Sequence, residues 1–269
     1  MSNIVLLRGG GDLASGVALR LHRAGIRLLI TELPTPLFVR RKVAFGEAVY
    51  AGKVEVEGVW AQKADGWKEA AALLPGGIIP VIIDPDLDCL AEVRPLALVD
   101  ARMIKTHSQL DMASAALVIG LGPGFEVGVN CHTVVETKRG HHLGRLYWQG
   151  SAAPDTGVPG SITKYKKDRV LRAPASGTLE AHSRIGQQLK QGDLIASVSG
   201  EPIIAPFDGV LRGLIHPSVS LVEGMKIGDL DPRNDPDYVE LISDKALAIG
   251  GGVLEALLTR EDIRQRLWA

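Results

Sequence analysis

Residues 4–32 read I-V-L-L-R-G-G-G-D-L-A-S-G-V-A-L-R-L-H-R-A-G-I-R-L-L-I-T-E. The apolar run Ile4–Leu7 meets three glycines. Val17, Leu19 and Leu21 then follow a helical pattern, and a second apolar run ends on Glu32. This is the order strand, glycine turn, helix, strand, acid. Gly9, Gly11 and Ala14 fit G-x-G-x-x-A, and Glu32 lies 21 residues after Gly11, where an acid ordinarily reaches a ribose hydroxyl. Free backbone N–H groups and the helix dipole make such a turn suitable for a phosphorylated ligand. Gly9, Gly10, Gly11, Asp12, Ala14, Ser15, Gly16 and Glu32 are therefore candidate ligand contacts. Two alternatives stand beside this reading. The glycines serve close strand–helix packing, or Asp12 and Ser15 cap the first helical turn.

Composition narrows the class. At 269 residues the chain has room for about two domains. Hydrophobic residues make up 46% and charged residues 23%, the balance of a globular protein with a real core. A net charge of −1 offers no electrostatic case for nucleic acid or an anionic membrane as partner. Cys89 and Cys131 form neither a disulfide framework nor a zinc motif by spacing. Ile4–Leu7 is too short for a secretory signal, and no apolar stretch is long enough to span a bilayer. These features predict a reduced, cytoplasmic protein without a metal site.

An α/β domain is expected over residues 1–160. Its strands are Ile4–Leu7, Leu28–Thr31, Ile78–Ile83, Ala97–Asp100 and Leu117–Leu121, short apolar runs of the kind buried in parallel sheets. Helices are expected at Leu13–Ala24 and Gly66–Leu74, and Ala48–Trp60 alternates like a strand or hairpin. The Gly-, Pro-, Ser- and Lys-rich stretch Gly150–Lys167 reads as a linker. Residues 168–242 hold a repeat. Ala173-Pro174-Ala175-Ser176-Gly177-Thr178-Leu179 recurs as Ala205-Pro206-Phe207-Asp208-Gly209-Val210-Leu211, and each copy later reaches Gly-Asp-Leu, at 192–194 and 228–230. This predicts a small pseudo-symmetric β-domain. Residues 243–269 form a C-terminal helical segment, with the helix expected to start after Gly250-Gly251-Gly252.

Further candidates follow from strand ends. Arg40, Arg41 and Lys42 come just past Glu32, either meeting a phosphate by forked hydrogen bonds or forming a solvated face. Asp100, Arg102 and Lys105 follow a strand, at the end where α/β sheets bind ligands, although an ordinary Asp–Arg pair is an equal alternative. Gly120, Gly122 and Gly124 make a second glycine-rich loop, leading to Cys131 and His132. Cys131 is a candidate thiolate, with His132 as activator if the ring reaches the sulfur; otherwise Cys131 is a small buried apolar residue. Arg139 and His141 either line a polar ligand or form a polar turn.

The repeat resembles the hammerhead fold of biotinyl and lipoyl domains. Ile195–Ile204, where such carriers hold their modified lysine, contains none, so no biotin or lipoyl attachment is expected and a positioning or interaction role is. The whole chain resembles a further family through R-G-G-G-D-L-A-S-G, T-E-L-P-T-P-L-F-V-R-R, V-D-A-R-M-I-K, G-L-G-P-G-F-E-V-G-V-N-C-H and I-S-D-K-A-L-A-I-G-G-G-V-L-E-A. Together these are similar to the accessory protein of the selenium-dependent molybdenum hydroxylase system, and distantly to xanthine dehydrogenase accessory proteins. The resemblance implies a Rossmann-like domain, a molybdopterin-type cofactor and a molybdenum hydroxylase client. It implies a role in that client's maturation. An NAD(P)-dependent oxidoreductase and a non-catalytic adaptor remain the alternatives. The oligomeric state stays open, a homo-oligomer included.

Overall fold

The computed structural model describes residues 2–154 and 169–268, and most of the expected Gly150–Lys167 linker lies outside them. The chain divides into two compact units. The first comprises Met1–Pro34, Phe45–Thr156 and Ile242–Ala269, and the second Thr35–Ala44 and Gly157–Leu241. Both boundaries differ from the partition read from composition. Residues 35–44 leave the α/β unit, and the C-terminal helical segment belongs to it.

The first unit is mixed α/β around a large, mostly parallel sheet. Its strands, among the described residues, are β1 (Ile4–Arg8), β2 (Arg27–Glu32), β3 (Lys53–Val56), β4 (Val59–Ala64), β5 (Ile79–Ile83), β6 (Ala97–Asp100), β7 (Leu117–Leu121), β8 (Thr133–Val135) and β9 (Leu146–Tyr147). They run in the order β3-β4-β5-β2-β1-β6-β7-β8-β9. All neighbours from β4 to β8 pair parallel, and only the outer strands β3 and β9 pair antiparallel. Leu6, Leu7, Leu98 and Val99 are fully buried, which is why the central strands read as unbroken apolar runs.

Within this sheet β5-β2-β1-β6-β7-β8 follow the doubly wound order 3-2-1-4-5-6. The direction of winding reverses between β1 and β6. Strand carboxyl ends diverge at such a point, and a crevice opens outside them. Arg8 ends β1 and Asp100 ends β6, so this pair of positions stands at the crevice.

The helices Asp12–Arg23 and Trp67–Leu73 lie where expected. Ala48–Trp60 is only partly strand: Ala48–Ala51 is a helical turn, and β3 and β4 form the hairpin after it. The largest departure is Asp244–Thr259, one helix that runs straight through Gly250-Gly251-Gly252. These glycines are contacts and not a break. A Cβ on Gly250 would stand 2.6 Å from the Gly16 carbonyl oxygen, and one on Gly16 2.6 Å from Ala246. A Cβ on Gly252 would overlap the Gly144 carbonyl. The Asp12–Arg23 and Asp244–Thr259 helices thus meet backbone to backbone.

The second unit is antiparallel β. β10 (Val170–Arg172), β12 (Gln188–Leu189), β15 (Gly209–Leu214) and β16 (Lys226–Asp231) make one sheet in the order β10-β16-β15-β12. β11 (Leu179–Ala181), β13 (Leu194–Val198) and β14 (Glu201–Ile204) make the other, in the order β11-β13-β14. Their core includes Leu179, Ile195, Phe207, Leu211 and Ile227, together with Val39 from the early segment. The repeat has a physical counterpart in reciprocal hydrogen bonds. Gly192 donates to the Ala205 carbonyl at 2.9 Å, and Gly224 to that of Ala173 at 2.9 Å. Ala205 donates to the Asp193 carbonyl at 2.8 Å, and Ala173 to that of Met225 at 2.9 Å. The partner of Gly192-Asp193 is therefore Gly224-Met225. The second Gly-Asp-Leu, at 228–230, lies inside β16 instead.

The helix contact makes a signed prediction. Gly251 is exposed, and a Cβ there meets nothing within 4 Å. Gly251→Ala should stabilise the protein by roughly 0.5–1 kcal/mol through helix propensity. Gly250→Ala should instead destabilise it by about 1–3 kcal/mol through overpacking. Urea unfolding of the two variants checks the opposite signs.

Candidate functional site

The glycine turn after β1 is closed by the protein's own chain. The Gly46 N–H donates to the Gly10 carbonyl at 2.8 Å, and a Cβ on Gly10 would stand 2.7 Å from Gly46 Cα. Ser15, fully buried, accepts from the Phe45 N–H at 2.8 Å and donates to the Gly10 carbonyl at 3.3 Å. Ala14 is buried in the same helix, and Gly11 caps it in extended conformation. Asp12 puts a negative charge in the first helical turn, where it complements the helix dipole and opposes a bound anion.

Glu32 faces inward. Its Oε2 accepts the Gly10 N–H at 2.7 Å and its Oε1 the Leu33 N–H at 2.8 Å. Burial raises its pKa, and these two hydrogen bonds pull the other way. The acid expected to hold a ribose instead holds the glycine turn. Packing, the alternative weighed for the glycines, accounts for Gly10 and Gly16. Gly9 has φ +98°, a conformation that favours glycine, and its position faces Arg102.

Arg40 and Arg41 belong to the second unit. Arg40 is buried, and its Nη2 donates to the carbonyls of Tyr238 at 3.3 Å and Leu241 at 2.9 Å. Arg41 opens a short 3-10 turn, and Lys42 pairs with Glu240 at 3.3 Å.

The crevice between β1 and β6 is where chemistry-bearing side chains gather. Asp100 is fully buried. Arg102 grips it with a fork, Nε to Oδ1 at 2.9 Å and Nη2 to Oδ2 at 2.6 Å. Arg8 Nη1 lies 4.0 Å from the same carboxylate, and Arg8 Nη2 donates to the Pro85 carbonyl at 2.6 Å. Arg8 Nε is buried with no hydrogen-bond partner. Burial and then the Arg102 charge lower the Arg8 pKa, against the pull of Asp100, Asp86 and Asp84. Arginine keeps its proton nonetheless.

Arg8 and Arg102 both line a cavity of about 510 Å³ whose walls also include Asp86, His107, Ser108 and Asp111. This volume is in the range of small-molecule sites. Arg8, Asp86 and His107 were missed in the sequence. The strand-end rule that found Asp100 and Arg102 points equally to Arg8, the last residue of β1. Lys105 is exposed in the same segment.

The second glycine loop supports this cavity from behind. A Cβ on Gly124 would stand 2.6 Å from both Ile104 and the Thr106 carbonyl. Ser108 donates its N–H to the Gly124 carbonyl at 2.9 Å. The buried Asn130 amide ties the loops together, Nδ2 to the Ser108 carbonyl at 3.0 Å and Oδ1 to the Glu126 N–H at 2.9 Å. Gly120 packs under Phe125, and Gly122, at φ +84°, faces Thr137. These three glycines are close approaches within the fold.

The surroundings of Cys131 do not favour a thiolate. Cys131 is fully buried, and burial pushes its thiol up to about 12. His132 Nδ1 accepts the Val118 N–H at 2.9 Å, while burial and then the Arg260 charge lower the ring's pKa. Arg139 forks onto Asp244 at 2.8 and 3.0 Å, and Arg145 donates to the His141 carbonyl. Among the described residues no group of three His, Cys, Asp or Glu could hold a metal ion. No helix there is long and apolar enough to cross a membrane.

No protein-family model matches the chain. It is 46% identical over 255 residues to the uncharacterized protein YqeB of Escherichia coli (strain K12), covering 95% of this chain and 47% of that protein. The chain thus spans about half the length of this curated relative. Two solved structures align with TM-scores of 0.25, too low to carry an argument about fold or activity. One is an aspartoacylase family protein from Mesorhizobium loti, 10% identical, covering 86% of this chain and 85% of that one. The other is a succinylglutamate desuccinylase from Silicibacter sp. TM1040, 14% identical, covering 85% of each.

The resemblance to a molybdenum hydroxylase accessory protein is corrected here. No family model matches, the relative is uncharacterized, and nothing in these comparisons points to molybdenum or selenium. The maturation role falls with it, and the oxidoreductase and adaptor alternatives gain no support.

The Cys131 geometry is testable. A thiol with a pKa near 12 is about one part in ten thousand thiolate at pH 8. Iodoacetamide should therefore label Cys131 in the native protein at least about a hundredfold more slowly than in urea. Peptide mass spectrometry reads the difference.

Proposed function

We propose that the first unit binds a small organic molecule by an anionic group held between Arg8 and Arg102. One observation carries the reading: two arginines at the reversal point of the sheet line one cavity and are braced by a buried carboxylate. Asp100 takes Nε and Nη2 of Arg102, which fixes the plane of that guanidinium before any ligand arrives. Preorganised forks of this kind suit carboxylate or phosphate groups. The strand order supports calling the unit Rossmann-like, with the ligand in the crevice outside β1 and β6 and not on the glycine turn.

For the second unit we keep the biotinyl/lipoyl-like reading, without carrier function. The reciprocal hydrogen bonds of the two half-repeats support it, and Ser199-Gly200, between β13 and β14, stands in the turn where a carrier has its lysine. A cytoplasmic location belongs to the same proposal, since two free cysteines suit a reducing compartment.

Thermal shift with succinate, citrate, glutamate, inorganic phosphate and glycerol phosphate tests the anion site. A ligand at a hundred times its Kd should stabilise the wild type by about 2.7 kcal/mol. Arg102→Lys keeps the charge but loses the fork, and should remove most of the shift. A panel without effect on the wild type, or equal shifts in the variant, overturns the reading.

A further inference from the structure

The walls of the crevice carry more than cations. Arg8 and Arg102 share the lining with Asp86 and Asp111, so the formal charges cancel with His107 neutral. Asp100 adds a further negative charge beneath Arg102. A site built for a polyanion would concentrate positive charge, because each extra carboxylate repels the ligand. This one keeps acids beside its arginines.

The two acids are not equivalent. Asp111 Oδ1 accepts the Ala113 N–H at 2.8 Å and so closes the short turn Met112–Ser114. Asp86 is exposed, on the loop after β5, and its charge acts on Arg8. Arg8 and Asp86 thus carry opposite charges on the wall of one cavity, each within reach of the other's field. Their natural complement is a molecule whose own opposite charges are close together. In an α-amino acid the carboxylate and ammonium are attached to the same carbon. The remaining walls include Leu87, Leu90, Ile104 and Leu110 as well as Thr106 and Gln109, a mixed surface for a side chain.

We infer that the ligand of this site is a free α-amino acid, its carboxylate on Arg8 and Arg102 and its ammonium on Asp86. The inference rests on the anion-binding reading given above and names the substrate class of the same site. It needs no covalent step, metal or co-reactant.

Isothermal titration calorimetry on the full chain tests it, using the twenty common L-amino acids singly as probes. For each binder, two analogues follow: the matching 2-oxo acid, which lacks the ammonium, and the matching amine, which lacks the carboxylate. At least one amino acid should bind, and both analogues should bind at least about tenfold more weakly, the loss of one charge-assisted contact. Asp86→Asn changes an exposed side chain and should leave the fold intact. It should weaken the amino acid about tenfold and leave the 2-oxo acid unchanged. Equal affinity for the 2-oxo acid, or no effect of Asp86→Asn, overturns the amino-acid inference while leaving the anion site standing. Equal affinity for the amine overturns both. Failure of all twenty overturns the inference, and the organic-acid and phosphate panel then decides the anion reading separately.

Discussion

The buried carboxylate of Asp100 is the constraint on which the site depends. A carboxylate withdrawn from water is tolerated only when paired and hydrogen-bonded. Asp100 meets this with the Arg102 fork and the more distant Arg8. Its position follows from the sheet. β1 and β6 are neighbours because the strand order reverses there, and each ends on a charged residue at the same level, Arg8 opposite Asp100. The backbone then turns sharply on both sides. Gly9 takes a positive φ facing Arg102, so the first glycine of the chain makes room for the second arginine of the site.

The same economy runs through the other glycines. In a Rossmann-type fingerprint, glycines open backbone toward a phosphate. Here Gly10 brings the Phe45–Glu47 turn against the strand end, and Gly16 brings in the Asp244–Thr259 helix. Gly124 brings in the cavity wall at Ile104–Thr106. The removed Cβ is filled by other backbone in each case. Close packing of this kind fills the space beside those glycines with the protein's own backbone.

The second unit shows how a repeat in sequence becomes a fold. Each half donates backbone hydrogen bonds to the other at matching positions, so neither half satisfies its turns alone. Val39 joins its core from a segment that precedes it by over a hundred residues, and a Cβ on Gly213 would stand 2.7 Å from the Val39 carbonyl. Composition could not announce this insertion, since residues 35–44 carry the Pro and Arg content of an ordinary surface loop.

Strand positions in the parallel sheet were legible because strands buried on both faces are apolar throughout, whatever surrounds them. Residues 97–100 and 117–121 needed no tertiary context to be read as strands. The Asp100–Arg102 pair was legible for a related reason, since charge placed directly after a buried strand stands at a strand end. Arg8 follows the same rule and was hidden by the glycines beside it. By itself, then, the sequence determined the α/β class, the central strands and the repeat, all of which depend on local pattern. Tertiary structure alone decided what Gly10, Gly16 and Gly124 pack against, where Glu32 points, that Cys131 is buried and that a helix crosses Gly250–Gly252. Each of those depends on which distant backbone fills the space beside a residue, and a glycine or a buried polar group carries no local mark of its neighbour.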